Sequence, residues 1–151
     1  MKEQVKYNLC FIYNVEHIHF GQFDLGGVLY HPRYFHLYEM AREFLLKTHA
    51  LPYTVLLERD QHLLVSESHQ KFINPIFYGK KYIIYLWITN IRKASIVMHY
   101  DILDIETNSL IHKAWTKHAF IEKNAQSFKI AELPFNLLEI MKKYAQDVEV
   151  L

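Results

Sequence analysis

The residues most able to do chemistry lie together, in the stretch FGQFDLGGVLYHPRYF from Phe20 to Phe35. It holds three of the chain's 4 glycines (Gly21, Gly26 and Gly27), a proline, and one carboxylate, Asp24. Gly26 and Gly27 lack a Cβ, so the backbone can turn sharply there and admit a ligand closely. Pro32 suits the first turn of a helix, where its missing N–H costs nothing. The pattern predicts an exposed loop that runs into a helix N-terminus, with Asp24 on its approach. Free backbone N–H groups at such a terminus can polarise a carbonyl oxygen or hold an anion. A carboxylate beside them can activate water or attack a carbonyl carbon directly. Residue types alone leave two readings open: Asp24 caps a glycine-rich turn, or it is the working carboxylate of an acyl-transfer site.

The elements that would position this loop follow from periodicity. Residues 6 to 20 are rich in Tyr, Phe, Ile and Val and predict a strand leading into it. After Pro32, Tyr34, Leu37, Tyr38, Ala41 and Leu45 fall at i, i+3, i+4, i+7 and i+11, one face of a helix. Phe35, Met40, Phe44 and Leu46 widen the apolar arc, so a helix wrapped on more than one side is expected. It should end before Leu51-Pro52, because the residue before proline is pushed out of the helical region. Residues 62 to 73, 81 to 90, 95 to 104 and 110 to 122 read as further strands. They are broken at Asn74-Pro75 with Gly79, at 90 to 94, and at 106 to 109. In the last of them Ile111, Trp115, Ala119 and Ile121 alternate with His112, Thr116 and His118, and Lys113 and Lys117 share the apolar parity. An amphipathic helix carrying Leu137, Leu138, Met141 and Tyr144 follows Pro134. The order β, α, four β, α, with short connections between strands, predicts an antiparallel sheet on one long helix, an α+β fold. No linker or repeat divides residues 1–151, so one domain is expected.

Composition narrows the function classes. With 151 residues, 51% hydrophobic and 22% charged, the chain can bury a core of its own. A formal net charge of +1 argues against a general nucleic-acid binder and makes any anion site local. The N-terminal apolar run is too short for a secretory signal, and no run reaches the length of a membrane-spanning helix. The one cysteine, Cys10, allows no internal disulfide. A cytoplasmic protein is the expectation. Ten histidines invite a metal reading, yet His17 and His19 stand without a second cluster at zinc-like spacing, so no metal is expected. Ser66 and Ser68 lack a Gly-x-Ser-x-Gly context, and Cys10 has no basic neighbour, which leaves neither as a nucleophile.

Asp24-Leu25-Gly26-Gly27-Val28-Leu29-Tyr30-His31-Pro32-Arg33-Tyr34 resembles the D-x-x-G-V-x-Y-H-x-x-Y signature of the hotdog-fold acyl-CoA thioesterases of the 4-hydroxybenzoyl-CoA thioesterase family. The group includes those associated with the Tol–Pal system. Tyr38-Glu39-Met40-Ala41-Arg42 continues the likeness into the helix, and the strand order extends it over roughly residues 10 to 125. The resemblance implies a sheet wrapped around the long helix, and homodimers or homotetramers with sites at subunit interfaces. It implies Asp24 as the catalytic carboxylate, as general base or as nucleophile. The backbone N–H of His31 would polarise the thioester carbonyl, and Gly27, Tyr30 and Tyr34 would shape the pocket. The basic turn at Arg92-Lys93 would contact coenzyme A phosphates, with Lys80 and Lys81 as weaker candidates; Arg and Lys also suit phosphate on physical grounds. The expected substrate is an acyl-CoA with an aromatic or aliphatic acyl group, or the same group on an acyl carrier protein. Coenzyme A enters as part of the substrate and no cofactor is implied. The alternative is a non-catalytic protein that binds or senses acyl-CoA. Gln22-Phe23 departs from the Glu-Thr that many relatives carry before the aspartate.

Overall fold

The computed structural model describes residues 3–147. Six strands and three α-helices follow in the order β1 (Phe11–Val15), α1 (Tyr34–Thr48), α2 (Tyr53–Glu58), β2 (Gln61–Phe72), β3 (Tyr82–Thr89), β4 (Ser95–Asp104), β5 (Leu110–Asn124), β6 (Ser127–Ile130) and α3 (Phe135–Lys143). All the strands lie in one antiparallel sheet of order β1-β3-β4-β5-β2, with β6 folded back on the end of β5. Strands β3, β4 and β5 form a meander, whereas β2 returns to the far side of β5 and becomes an edge.

Helix α1 lies on one face of this sheet. Its turns bury Tyr34, Leu37, Tyr38, Ala41, Leu45 and Leu46. These meet Ile84, Leu86, Met98, Tyr100, Ile102 and Phe120 in one continuous core. The i, i+3, i+4, i+7 spacing therefore marks the buried stripe correctly. Ala50 takes a positive φ of 57° just past the helix, and Pro52 both ends this segment and opens α2.

Several expectations need correction. The strand expected over residues 6 to 20 is only Phe11–Val15, flanked by 3-10 turns at Tyr7–Leu9 and Phe20–Gln22. His17 and His19 fall beyond it, exposed, with rings in edge contact rather than on one strand face. Helix α2 and strand β6 were not expected; each is shorter than the window over which periodicity can be read. Helix α1 is covered on one side only. Met40 and Phe44 are 43% and 47% exposed, though Phe44 leans on Phe11 and Tyr13.

Strand β5 decides between two parities to which the sequence assigns no face. The parity that faces the helix carries His112, Thr116 and His118, all essentially inaccessible, while Trp115 and Ala119 lie on the outer, half-buried face. Polar groups buried in this way need partners. The Tyr38 hydroxyl bonds His112 Nδ1, Tyr100 Oη bonds Thr116 Oγ1 at 2.8 Å, and Thr116 Oγ1 bonds His118 Nε2 at 2.7 Å. Arg42 Nη1, on α1, donates to Tyr100 Oη at 3.1 Å. Cys10 is buried, and burial pushes its thiol up to about 12, which suits an inert side chain.

Candidate active site

The loop between β1 and α1 folds as a tight hairpin. Phe23 and Leu29 pair as an isolated bridge, Asp24 N–H donates to Val28 O (2.9 Å), and Gly27 N–H donates to Asp24 O (3.0 Å). Gly27 sits at a φ of +76°, where a side chain would be strained. A Cβ on Gly26 would stand 3.2 Å from Asp24 Oδ1. The two glycines are thus required for different reasons, one for its backbone angle and one for room beside the carboxylate.

Asp24 is exposed at the base of this hairpin. Its Oδ1 accepts from Gly26 N–H (2.8 Å) and, more weakly, from Val28 N–H (3.4 Å). Its Oδ2 accepts nothing from the described residues. The turn-capping reading of the carboxylate is thus met by one oxygen, and the other is left without a partner among the described residues. One oxygen caps the turn, and that cap aims the other oxygen outward.

Seven residues further on, His31–Arg33 forms a 3-10 turn that feeds α1. Arg33 N–H bonds Tyr30 O at 2.8 Å and Pro32 has no N–H, while the His31 amide, at the head of the turn, donates to no described residue. That is an open donor at a helix start. The exposed Tyr30 ring packs edge-on against the His31 ring with centroids 4.9 Å apart. Beside this amide lies a cavity of about 260 Å³ lined by Val28, Leu29, His31 and Tyr34 on one side and by Phe72 to Pro75 on the other. Leu29 N–H donates to Ile76 O (2.9 Å), and Ile73 and Asn74 N–H both donate to Ile111 O (3.1 and 3.0 Å), which holds the two walls at a fixed separation.

The structure brings Asp24, Gly27, Tyr30, His31 and Tyr34 into one loop and helix start. Arg92 and Lys93 stand elsewhere within the same chain. The loop reaches the Tyr82 end of β3, through the Val28–Phe77 bridge and the bond from Phe77 N–H to Tyr82 Oη (2.9 Å). The basic turn follows Thr89 at the other end, roughly 23 Å along the strand. Arg92 is exposed, and Lys93 is paired with Glu132 at 2.8 Å, which raises its ammonium above its ordinary value. Lys80 is paired with Asp104 at 3.6 Å. With Lys81 it lines a second cavity of about 180 Å³, against Phe23, Phe77 and Tyr78. Phe23 is packed edge-on against Tyr78 (5.4 Å), which in turn meets Phe20 (5.3 Å). The aromatic residue before the aspartate therefore anchors the hairpin. Among the described residues, no group of three or more His, Cys, Asp and Glu side chains is placed to hold a metal ion. None of their helices is long and apolar enough to cross a membrane.

The wall from Phe72 to Pro75 escaped the sequence reading, in which Asn74-Pro75 marked only a break between strands. His112 behind it was also missed. The clue to His112 was a histidine on one parity of a strand, and that parity was assigned no face.

An antiparallel sheet laid over one long helix, with a turn-capped carboxylate at that helix's entry, defines a hotdog protein of the thioesterase kind. The chain belongs to the thioesterase-like superfamily, whose family model matches residues 18–141. It is 24% identical over 132 residues to a protein of Aquifex aeolicus (strain VF5) that carries a provisional esterase name, covering 87% of this chain and 98% of that one. The 1,4-dihydroxy-2-naphthoyl-CoA thioesterase Slr0204 from Synechocystis shares the fold at a TM-score of 0.79 and 22% identity, over 87% of this chain and 95% of its own. A 4-hydroxybenzoyl CoA thioesterase complexed with 4-hydroxybenzoyl CoA shares it at a TM-score of 0.76 and 18% identity, over 87% and 97% of the respective chains.

Proposed function

We propose that this chain hydrolyses an acyl-CoA thioester to the free acid and the thiol. One observation carries the reading: Asp24 has one oxygen fixed in its turn and the other free, on the same short loop as an open helix-start amide and an apolar cavity. The acyl group would enter the cavity against Tyr34 and Phe72, with its carbonyl oxygen toward the His31 N–H. That amide would stabilise the negative charge that develops on the oxygen. The free Asp24 oxygen would then take a proton from the attacking water, or attack the carbonyl carbon and leave an anhydride for water to open. In either route water supplies the new acid oxygen, and the sulfur leaves with a proton.

A second copy of the chain completes the site in this reading. Strand β2 is an edge of the sheet and exposes Leu64, Val65 and Phe72, together with the adjoining Ile73, by 41 to 52%. An unpaired apolar edge of this length invites another strand. Phe72 and Ile73 also line the cavity, so a partner seated on β2 would roof it. The same partner would be the means of bringing an Arg92-Lys93 turn toward the substrate's phosphates.

The test is a thiol-release assay across short, long and aromatic acyl-CoAs and the matching acyl carrier protein thioesters, with binding measured in parallel. Asp24→Asn keeps the shape and both turn hydrogen bonds but removes the charge. Turnover should fall at least about a hundredfold. Turnover near the wild-type rate in this variant would defeat the reading, and tight acyl-CoA binding without turnover in the wild type would favour the binding or sensing alternative.

A further inference from the structure

The cavity beside His31 has a second layer that touches no solvent. Tyr34 and Phe72, which line it, meet edge-on with centroids 5.0 Å apart. Both pack on His112, the Tyr34 ring stacked on the imidazole at 4.3 Å and 24°, the Phe72 ring edge-on at 4.7 Å and 78°. His112 has no accessible surface and is not itself among the lining residues. From the other side, the Tyr38 hydroxyl hydrogen-bonds Nδ1. The other ring nitrogen, Nε2, finds no partner among the described residues.

The position of this ring is tightly determined. A bulge in the β4–β5 pairing places Ile111 out of register, so that Ile102 faces His112 and Leu103 faces Leu110. The bulged Ile111 and its neighbour Leu110 fasten the cavity rim: Ile111 O accepts from Ile73 and Asn74 N–H, and Leu110 O accepts from Asn74 Nδ2 (3.1 Å). Rim and backing layer therefore come from three consecutive residues of β5. A leucine or phenylalanine would fill this space without a buried ring nitrogen left unpartnered, which is unfavourable. The imidazole instead combines a flat face for Tyr34 with a hydrogen-bonding nitrogen for Tyr38. Burial holds it down to about 4, so it stays uncharged at neutral pH.

We propose that His112 is the residue that limits the depth of the acyl cavity, by backing Tyr34 and Phe72 and fixing them against α1. It is a specificity-determining and positioning residue, since it touches the cavity walls and not the substrate. The inference rests on the thioesterase reading above. It predicts that the length of acyl group accepted is decided by a side chain outside the cavity.

The experiment compares wild type, His112→Val and His112→Phe on straight-chain acyl-CoAs of increasing length and on benzoyl-CoA, recording kcat and KM for each. His112→Val keeps a strand-favouring side chain but removes the ring, so Tyr34 or Phe72 can sink and the cavity deepen. The ratio of kcat/KM for the longer over the shorter acyl-CoA should rise about tenfold or more, since one methylene in an apolar pocket discriminates about that much. His112→Phe keeps the ring and should keep the wild-type length preference, even though it loses the bond to Tyr38. A folded His112→Val that loses activity evenly across all lengths would overturn the inference, as would a His112→Phe that shifts the preference as far. If His112→Val does not fold, His112→Asn, which keeps a hydrogen-bonding side chain but lacks the ring, takes its place, and an unchanged length preference in that variant overturns the inference. A wild type inactive on every member of the panel would sink the thioesterase reading itself, and this inference with it.

Discussion

Acidification should unfold this protein well before its carboxylates are titrated. Three histidines are buried: His112 and His118 on the helix-facing side of β5, and His99 on the outer face of β4. Burial lowers all three, to about 4 for His112, about 4 for His99 with the Lys113 charge adding to it, and about 3 for His118 with Arg42 adding to it. In the unfolded chain each returns to its ordinary value of 6.5. The folded state therefore binds fewer protons, and stability must fall as the pH falls. The contribution is whole above about pH 6.5 and is lost progressively down to about pH 4. At pH 5 each unfolded imidazole gains a proton that the folded one refuses, worth roughly 1.5 pH units at 1.36 kcal/mol each, or about 2 kcal/mol. Three together remove about 6 kcal/mol, which matches the entire stability of many domains. Asp101 works in the opposite direction, because burial raises its carboxyl, so the folded state takes up that proton first and offsets part of the loss. Urea denaturation at pH 7.5, 6 and 5, followed by circular dichroism, measures the effect, and the midpoint should drop steeply between pH 6 and 5. His99→Asn deletes one of the three groups and should remove about a third of the pH-dependent loss. An unfolding free energy at pH 5 within about 1 kcal/mol of that at pH 7.5 would refute the claim that these rings are held neutral by burial.

Other outcomes are expected from the loop, the basic turn and the free edge. Gly27→Ala forces a side chain into the left-handed region, so it should cost about 1–2 kcal/mol and lower Tm by a few degrees, with a larger loss of turnover as the Asp24 turn shifts. Arg92→Ala with Lys93→Ala should raise KM for acyl-CoA about tenfold, leave kcat nearly unchanged, and make KM less sensitive to salt. The exposed Lys93–Glu132 pair contributes little, so that variant should melt at the wild-type temperature. Leu64→Lys with Val65→Lys places charge on the β2 edge, and gel filtration should show a smaller species that has lost activity together with its assembly. A variant that runs as a monomer with full turnover would show that the site is complete in one chain.

Much of this protein could be read from local sequence because the physics involved is local. Helix propensity, the i, i+3, i+4, i+7 stripe and the proline at each end determine α1 within its own residues. The Asp24-to-Val28 turn is likewise closed by bonds between residues at most four apart, and its glycines announce it. What the sequence could not decide was which residues face each other across the fold. The alternation in β5 was visible, but apolar and polar parities competed, and only the partners on α1 and β4 select the face. Tyr38, Tyr100 and Arg42 supply hydrogen-bonding groups that make the His112, Thr116 and His118 side the buried one. The wall from Phe72 to Pro75 meets Leu29 and Tyr34 only because β2 pairs with β5 and Ile111 O holds the Ile73 and Asn74 amides. The carboxylate and its helix were thus legible in the chain. The cavity beside that helix's start, and the histidine behind it, exist only through contacts between residues some forty to eighty positions apart.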